Sequence, residues 1–195
     1  MDAFKCAALM ACVVLVAAGC GGGEPAGPDA GKKAGPAQSA RPAEGDGALD
    51  VRSPAFKDGG EIPTQYTCDG EDMSPPLAIE GVPDDASSLA LVVDDPDAPG
   101  GTFVHWVMWN IPPDVAAVAE DEVPEGVTGT NDFGDAAYGG PCPPEGDGPH
   151  TYRFKVYALD VELDLERGAD ADELSDAMEG HVLARGMLTG EYARQ

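Results

Sequence analysis

One run of residues limits what this chain can fold into. Ser88-Leu89-Ala90-Leu91-Val92-Val93-Asp94 is apolar almost from end to end, and Asp95-Pro96-Asp97-Ala98-Pro99-Gly100-Gly101 cuts it off at once. The run has the length and the aliphatic, partly β-branched content of a strand, and a strand apolar at nearly every position is buried on both faces. It therefore predicts a central strand, with a Pro/Gly turn fixing where that strand stops.

Two further runs carry strand periodicity. Across the pleat, Thr102 to Ile111 places His105, Val107 and Trp109 on one face and Val104, Trp106 and Met108 on the other. His150 to Leu159 sets His150, Tyr152, Phe154, Val156 and Ala158 side by side. Both histidines then sit toward the loop ends of strands whose same face is otherwise apolar, as at the mouth of a core-lined cleft. One helix is predicted between Asp170 and Arg185, where Leu174, Ala177, Met178, His181 and Val182 recur at helical spacing. Asp170 or Asp172 is available as its N-cap, and Gly186 as its stop. His181 falls within the apolar stripe and reads as a packed histidine with one hydrogen bond rather than as a ligand. The simplest architecture is mostly β, with a C-terminal helix covering one edge.

The amino-terminal part has a different character. Lys5, the apolar stretch from Ala7 to Ala18 and Gly19-Cys20 form an export signal too short to span a bilayer. Ala17-Ala18-Gly19-Cys20 resembles a bacterial lipobox, which makes residues 1–19 a lipoprotein signal peptide and Cys20 the lipidated residue. Ordinary secretion is the alternative. Acyl chains such as palmitate contribute ~0.8 kcal/mol per buried CH2, so several anchor a chain stably at a membrane of the cell envelope. Residues 20–48, rich in Gly, Pro and Ala, bury too little to offset their ordering entropy and form a disordered linker. The folded domain is expected over residues 49–195.

Cysteine and charge usage agree with this plan. Cys6 and Cys12 leave with the signal, so Cys68 and Cys142 remain in the domain. Two cysteines in an exported domain suggest one disulfide, although sequence alone does not show that they meet. With 11 Lys and Arg against 36 Asp and Glu, the net charge is −25. A surface that acidic repels phosphate backbones at long range, which excludes nucleic acid as a partner. A local anion site survives, because charges beyond a Debye length of about 8 Å are largely screened.

Three segments carry the chemistry: Asp95 to Pro99, His105-Trp106, and Gly139-Gly140-Pro141-Cys142-Pro143-Pro144 leading to His150-Thr151-Tyr152. They supply carboxylates, imidazoles, a phenol and stiff Gly/Pro backbone, a set that suits a small polar or anionic ligand. Imidazole N–H groups of His105 and His150, the Tyr152 hydroxyl and backbone N–H groups around Gly139-Gly140 are the expected donors. Asp95 is expected to accept from an imidazole, and a cationic head on the ligand would meet a carboxylate. Rival readings use the same residues. A metal-dependent hydrolase would take Asp95, Asp97, His105 and His150 as ligands, but no HExxH, HxH or CxxC spacing occurs. A cysteine hydrolase would use Cys142 as nucleophile and His150 as base, although prolines flank that cysteine. In the blandest case Asp95 and His105 only brace a turn.

Taken with Ile62-Pro63, Tyr66 to Gly70, Ser74-Pro75-Pro76-Leu77, Asn131-Asp132-Phe133-Gly134 and the closing Glu179 to Tyr192, these segments resemble the phosphatidylethanolamine-binding protein family. The likeness is to its bacterial Raf-kinase-inhibitor-like branch and covers residues 50 to 195. It implies two antiparallel sheets with a small anion pocket at one end. It also implies ligand-binding roles for Asp95, His105, Gly140, Pro141, His150 and Tyr152, with Asp97 bracing the loop. Thr151 stands where many relatives carry Arg, on the face of the strand away from the pocket. The function implied is non-catalytic binding of phosphate, phosphoethanolamine, a carboxylate or a phospholipid head group, without cofactor or metal, and coupled in some relatives to inhibition of a kinase or protease.

Overall fold

In the computed structural model, which describes residues 47–194, the apolar run lies at the centre of the larger of two sheets. The signal-like segment 1–19, Cys20 and residues 21–46 of the expected linker lie outside the described residues. Gly47–Ala48, expected to end that disordered linker, instead pair with Ala184–Arg185 as a short strand. The strands are β1 (Gly47–Ala48), β2 (Asp50–Arg52), β3 (Gly60–Glu61), β4 (Leu77–Glu80), β5 (Ser88–Asp95) and β6 (Phe103–Ile111), followed by β7 (Ala117–Val118), β8 (Val127–Thr128), β9 (His150–Leu159) and β10 (Val182–Tyr192). One helix, α1 (Ala171–Met178), precedes β10.

The larger sheet runs β1-β10-β9-β5-β6-β8, with β3 also pairing on β10, and the smaller runs β2-β4-β7. Pairing within the long strands is antiparallel, while the two-residue strands β1 and β3 lie parallel to β10. Strand β5 is buried at every position, as its composition demands. On one face Leu91 and Val93 pack with Trp106, Met108, Phe154 and Val156 against Val51, Leu77, Ile79 and Val118 of the small sheet. On the other, Ala90 and Val92 pack with Val107, Trp109 and Leu159 against Leu174 and Met178 of α1. The mostly β architecture, two sheets and one helix, is the one the sequence led us to expect.

Helix α1 begins as its sequence dictates. The Asp170 carboxylate accepts from the Asp172 and Glu173 N–H groups, and Glu173 reaches back to the Asp170 N–H, which completes a capping box. Its other end differs from expectation. The helix stops at Met178, with Gly180 at φ 80°, a backbone conformation that favours glycine. Residues 182–192 then form β10, a long strand where the sequence suggested helix as far as Arg185. Gly186, read as a helix stop, has a different purpose: a Cβ there would lie 2.5 Å from the Leu49 carbonyl oxygen. The absent side chain lets the chain cross close over β10 as it enters the small sheet. His181 occupies the turn before β10, and its Nδ1 bonds the Asp160 carboxylate at 2.8 Å.

Cys68 and Cys142 form a disulfide with their Cα atoms 5.4 Å apart, joining two loops at one end of the sandwich. Their separation of 74 residues makes this a long closed loop. Chain-entropy arguments assign such a crosslink about 4 kcal/mol of stabilisation. Urea titration of Cys142→Ser, and of the wild type under reducing agent, is therefore expected to show a loss of ~3–4 kcal/mol relative to the oxidised wild type. Equal stability of oxidised and reduced protein would contradict a stabilising bridge.

Candidate functional site

The site starts from a register shift. Along β5 and β6, Val93 pairs with Trp106 but Asp94 pairs with Val104, so His105 is the extra residue of a β-bulge. A bulge lets two consecutive side chains share a face. Val104 packs with Val107 and Trp109 in the core beneath α1. The His105 ring instead lies edge-on to Tyr152, with centroids 5.2 Å apart, on the face that holds Trp106 and Phe154. Strict alternation placed His105 beside Val107 and Trp109; the bulge reverses that assignment and brings the imidazole to the other strands' functional groups.

Two carboxylates tie the Asp95–Pro99 turn to the start of β9. His150 Nδ1 bonds Asp95 Oδ2 at 2.7 Å, while Asp95 Oδ1 accepts the Asp97 N–H at 2.8 Å. Asp97 Oδ2 accepts the Thr151 N–H at 2.9 Å. Asp95, His105, His150 and Tyr152 are 3%, 3%, 4% and 0% exposed, so a ligand meets only their edges.

The Gly139-Gly140-Pro141 segment forms a wall, though not as the expected set of free donors. His105 Nδ1–H donates to the Gly139 carbonyl at 2.8 Å, and the Gly139 N–H returns to the His105 carbonyl at 3.0 Å. The Gly140 N–H donates to Asp72 Oδ1 at 2.7 Å. Both amides are thus already engaged. Gly140 is sterically required, because a Cβ there would lie 2.5 Å from both Asp72 Oδ1 and the Tyr66 carbonyl oxygen. The buried Pro141 accepts from the Cys68 N–H at 3.2 Å through its carbonyl.

Several contributors escaped sequence reasoning. Asp72, at φ 58°, anchors Gly140. Buried Asn131 donates to the Ala137 carbonyl and accepts from the Phe133 and Asp135 N–H groups, which shapes the loop beside the wall. Phe133 then stands edge-on to His105 at 5.5 Å. A cavity of about 440 Å³ adjoins the wall, lined by Asp72, Phe133, Asp135, Tyr138 and the Cys68–Cys142 bridge. Asp147 lies 3.5 Å from His150 Nε2. The sequence clue to Asp147 was its place between Gly146 and Gly148, three residues ahead of His150.

The two imidazoles are pushed in opposite directions. Burial lowers the pKa of His105, outweighing the Gly139 carbonyl and the Asp95 charge that favour its cation. For His150, burial also works against the cation, but the bond to Asp95, its charge and the nearby Asp147 prevail and raise the pKa. Burial and the Asp95 charge raise the Tyr152 phenol, which stays protonated. Its hydroxyl is buried near the Asp95 carboxylate and the Cys142 backbone without a well-formed hydrogen bond to either, and the indole N–H groups of Trp106 and Trp109 are likewise unbonded. Of these three, only the hydroxyl can both give and accept a hydrogen bond.

Comparison with known proteins finds relatives in both sequence and fold. The model of the phosphatidylethanolamine-binding protein family matches residues 52–193. A UPF0098 protein of Methanothermobacter thermautotrophicus is 51% identical over 152 residues, covering 75% of this chain and 99% of that protein. Another, from Aquifex aeolicus, is 49% identical over 156 residues, covering 77% of this chain and 91% of that one. Among solved structures, the phosphatidylethanolamine-binding protein homologue CT736 of Chlamydia trachomatis superposes with a TM-score of 0.73 at 41% identity, covering 77% of this chain and all of that one. YbcL of E. coli, described as a member of the mammalian family, gives 0.71 at 34% identity over 78% of this chain and all of its own.

The opposed shifts define a stability profile. A histidine whose folded pKa is raised stabilises the fold fully below its unfolded value of 6.5, and that contribution disappears as pH rises through the folded value. His105, with a lowered pKa, binds fewer protons folded than unfolded and so opposes that loss until about one pH unit above 6.5, where it is neutral in both states. Urea unfolding from pH 6.5 upward is therefore expected to show the wild type losing stability relative to Asp95→Asn as pH rises. A wild-type profile parallel to that of Asp95→Asn would contradict the pair.

Proposed function

We propose, since this chain belongs to the phosphatidylethanolamine-binding protein family, that its domain is a non-catalytic binder of a small oxyanion. The ligand class is phosphate, a phosphate monoester such as phosphoethanolamine, or a carboxylate, held among Asp95, His105, Gly140, Pro141, His150 and Tyr152. The observation that carries this reading is the Tyr152 hydroxyl, buried beside the His105 ring with no well-formed hydrogen bond of its own. A buried hydroxyl without a partner costs about 1–3 kcal/mol, which a bound oxygen atom would offset.

The protonation pattern refines the ligand. His105 gives its Nδ1 proton to Gly139, so in the neutral ring Nε2 presents a lone pair. An oxyanion fits there when it brings a proton, as monoanionic phosphate does, or when binding draws a proton onto the ring. Tyr152 donates to a second oxygen. The cavity beyond the Gly139-Gly140 wall presents Asp72, Asp135 and the half-exposed ring of Phe133, and no Lys or Arg lines it. Carboxylates and an aromatic face suit an ammonium group, which favours a phosphate monoester with a cationic end over bare phosphate.

In this reading Cys20 carries the lipid and the domain works in the cell envelope, where phospholipid head groups and their fragments are at hand. Inhibition of a kinase or protease through the surrounding loops is compatible with ligand binding. The hydrolase alternatives find less support. Among the described residues no group of three or more His, Cys, Asp or Glu side chains is placed to hold a metal. Cys142 is in a disulfide and so offers no thiolate.

Tyr152→Phe separates a ligand-binding role from a structural one. Because the hydroxyl makes no well-formed internal hydrogen bond, its removal should change unfolding stability by less than about 1 kcal/mol. Titration calorimetry with phosphate and with phosphoethanolamine is expected to show affinity lowered about 5- to 10-fold in Tyr152→Phe and binding lost in His105→Ala. Unchanged affinity in Tyr152→Phe, or turnover of phosphoesters by the protein, would overturn the proposal.

A further inference from the structure

We infer that Asp147 is a built-in competitor for the ligand: its carboxylate occupies the one donor of His150 that an incoming oxyanion would use, and binding proceeds by displacing it. The inference rests on the oxyanion-binding reading above and adds a residue that sets affinity and selects among anions.

The geometry is specific. His150 has two ring nitrogens, and Nδ1 is committed to Asp95 at 2.7 Å. Only Nε2 remains, and Asp147 Oδ2 stands 3.5 Å from it. That distance is an ion-pair contact too long for a strong hydrogen bond. The carboxylate is therefore held by charge and leaves without breaking a well-formed bond. His150 is almost wholly enclosed, with its side chain 5% exposed, whereas the Asp147 side chain is 50% exposed. An anion arriving from solvent thus meets Asp147 before it meets the imidazole.

The loop that carries Asp147 is built to swing. Gly146 and Gly148 adopt φ 80° and 96°, and a Cβ at either would touch nothing within 4 Å, so this stretch stands clear of the body. Inside the loop, the Asp147 N–H reaches the Pro144 carbonyl at 3.2 Å. Its other tie is Glu145 to Arg194 at 3.6 Å, again an ion pair. Pro149 and His150 fix the hinge end to β9.

The chemical consequence is an exchange of one anion for another at a fixed cation. A ligand that brings a single weak charge gains little over the carboxylate already present. A phosphate oxygen that also reaches His105 and Tyr152 gains those contacts in addition. Asp147 therefore filters for oxyanions able to engage all three groups. A purely structural role, pinning the loop, would be served as well by a neutral side chain of the same shape.

Phosphate affinity, read by titration calorimetry at pH 7, is the test, on wild type, Asp147→Asn and Glu145→Gln. Asp147→Asn is expected to bind phosphate about two- to five-fold more tightly, the range of a half-exposed ion pair, while Glu145→Gln stays at the wild-type value. In the ligand-free proteins, the His150 titration followed by NMR should move to lower pH in Asp147→Asn, with Asp95 then the remaining carboxylate facing the ring. Wild-type binding without gain in Asp147→Asn, or an equal gain in Glu145→Gln, overturns the competitor while leaving the oxyanion reading intact. Absence of phosphate binding in all three overturns the oxyanion reading and the competitor with it. Binding by Asp147→Asn alone would be the strongest support for displacement.

Discussion

A single surplus residue in β6 determines where the chemistry of this domain collects. Opposite Val93 and Asp94 the β6 strand inserts His105, and from that point Val104 faces the helix layer while His105 faces the end of the sandwich. The bulge is stabilised from outside the sheet. His105 and Gly139 exchange two hydrogen bonds, one through the ring and one through the backbone, so the wall loop and the bulge fix each other. Asp72 holds the next residue of that loop, and the Cys68–Cys142 bridge ties its far side to the body. Each contact is local, yet together they bring strands β5, β6 and β9 and two loops to one place.

The environments so created make two like residues unlike. His105 is enclosed by the rings of Phe103, Phe133 and Tyr152, and burial disfavours its charge. His150 stands between Asp95 and Asp147, and their charges outweigh its burial. One imidazole is thereby kept neutral by burial, and the other is favoured as a cation by its carboxylate neighbours. Beside them Tyr152 keeps an unmatched hydroxyl. A protein carrying a net charge of −25 can accommodate such a site because the local cation and donors act at hydrogen-bond range, where bulk charge is screened.

Much of this was legible in the residues themselves. The apolar run of β5, the one-sided pattern of His150 to Ala158 and the Asp170 cap all follow from periodicity and capping chemistry, and each appears in the fold. Periodicity failed where it was interrupted. A bulge leaves no mark in a pattern of alternating side chains, so His105 was assigned to the wrong face. Strand β10 carries Gly186 and Gly190, needed for close approach of Leu49 and Ile62, and those glycines hid its strand character. The donors expected from Gly139 and Gly140 were misjudged for a related reason. Their partners, His105 and Asp72, are distant in sequence, and only the folded chain shows those amides already bonded.

The whole site depends on which side of the sheet His105 occupies. Nuclear Overhauser contacts from its ring protons, assigned in the oxidised protein, test this directly. With the bulge in place, contacts are expected to the ring protons of Tyr152 and Phe133. Contacts instead to Val107 and Trp109, with none to Tyr152, would contradict the bulge and the site built on it.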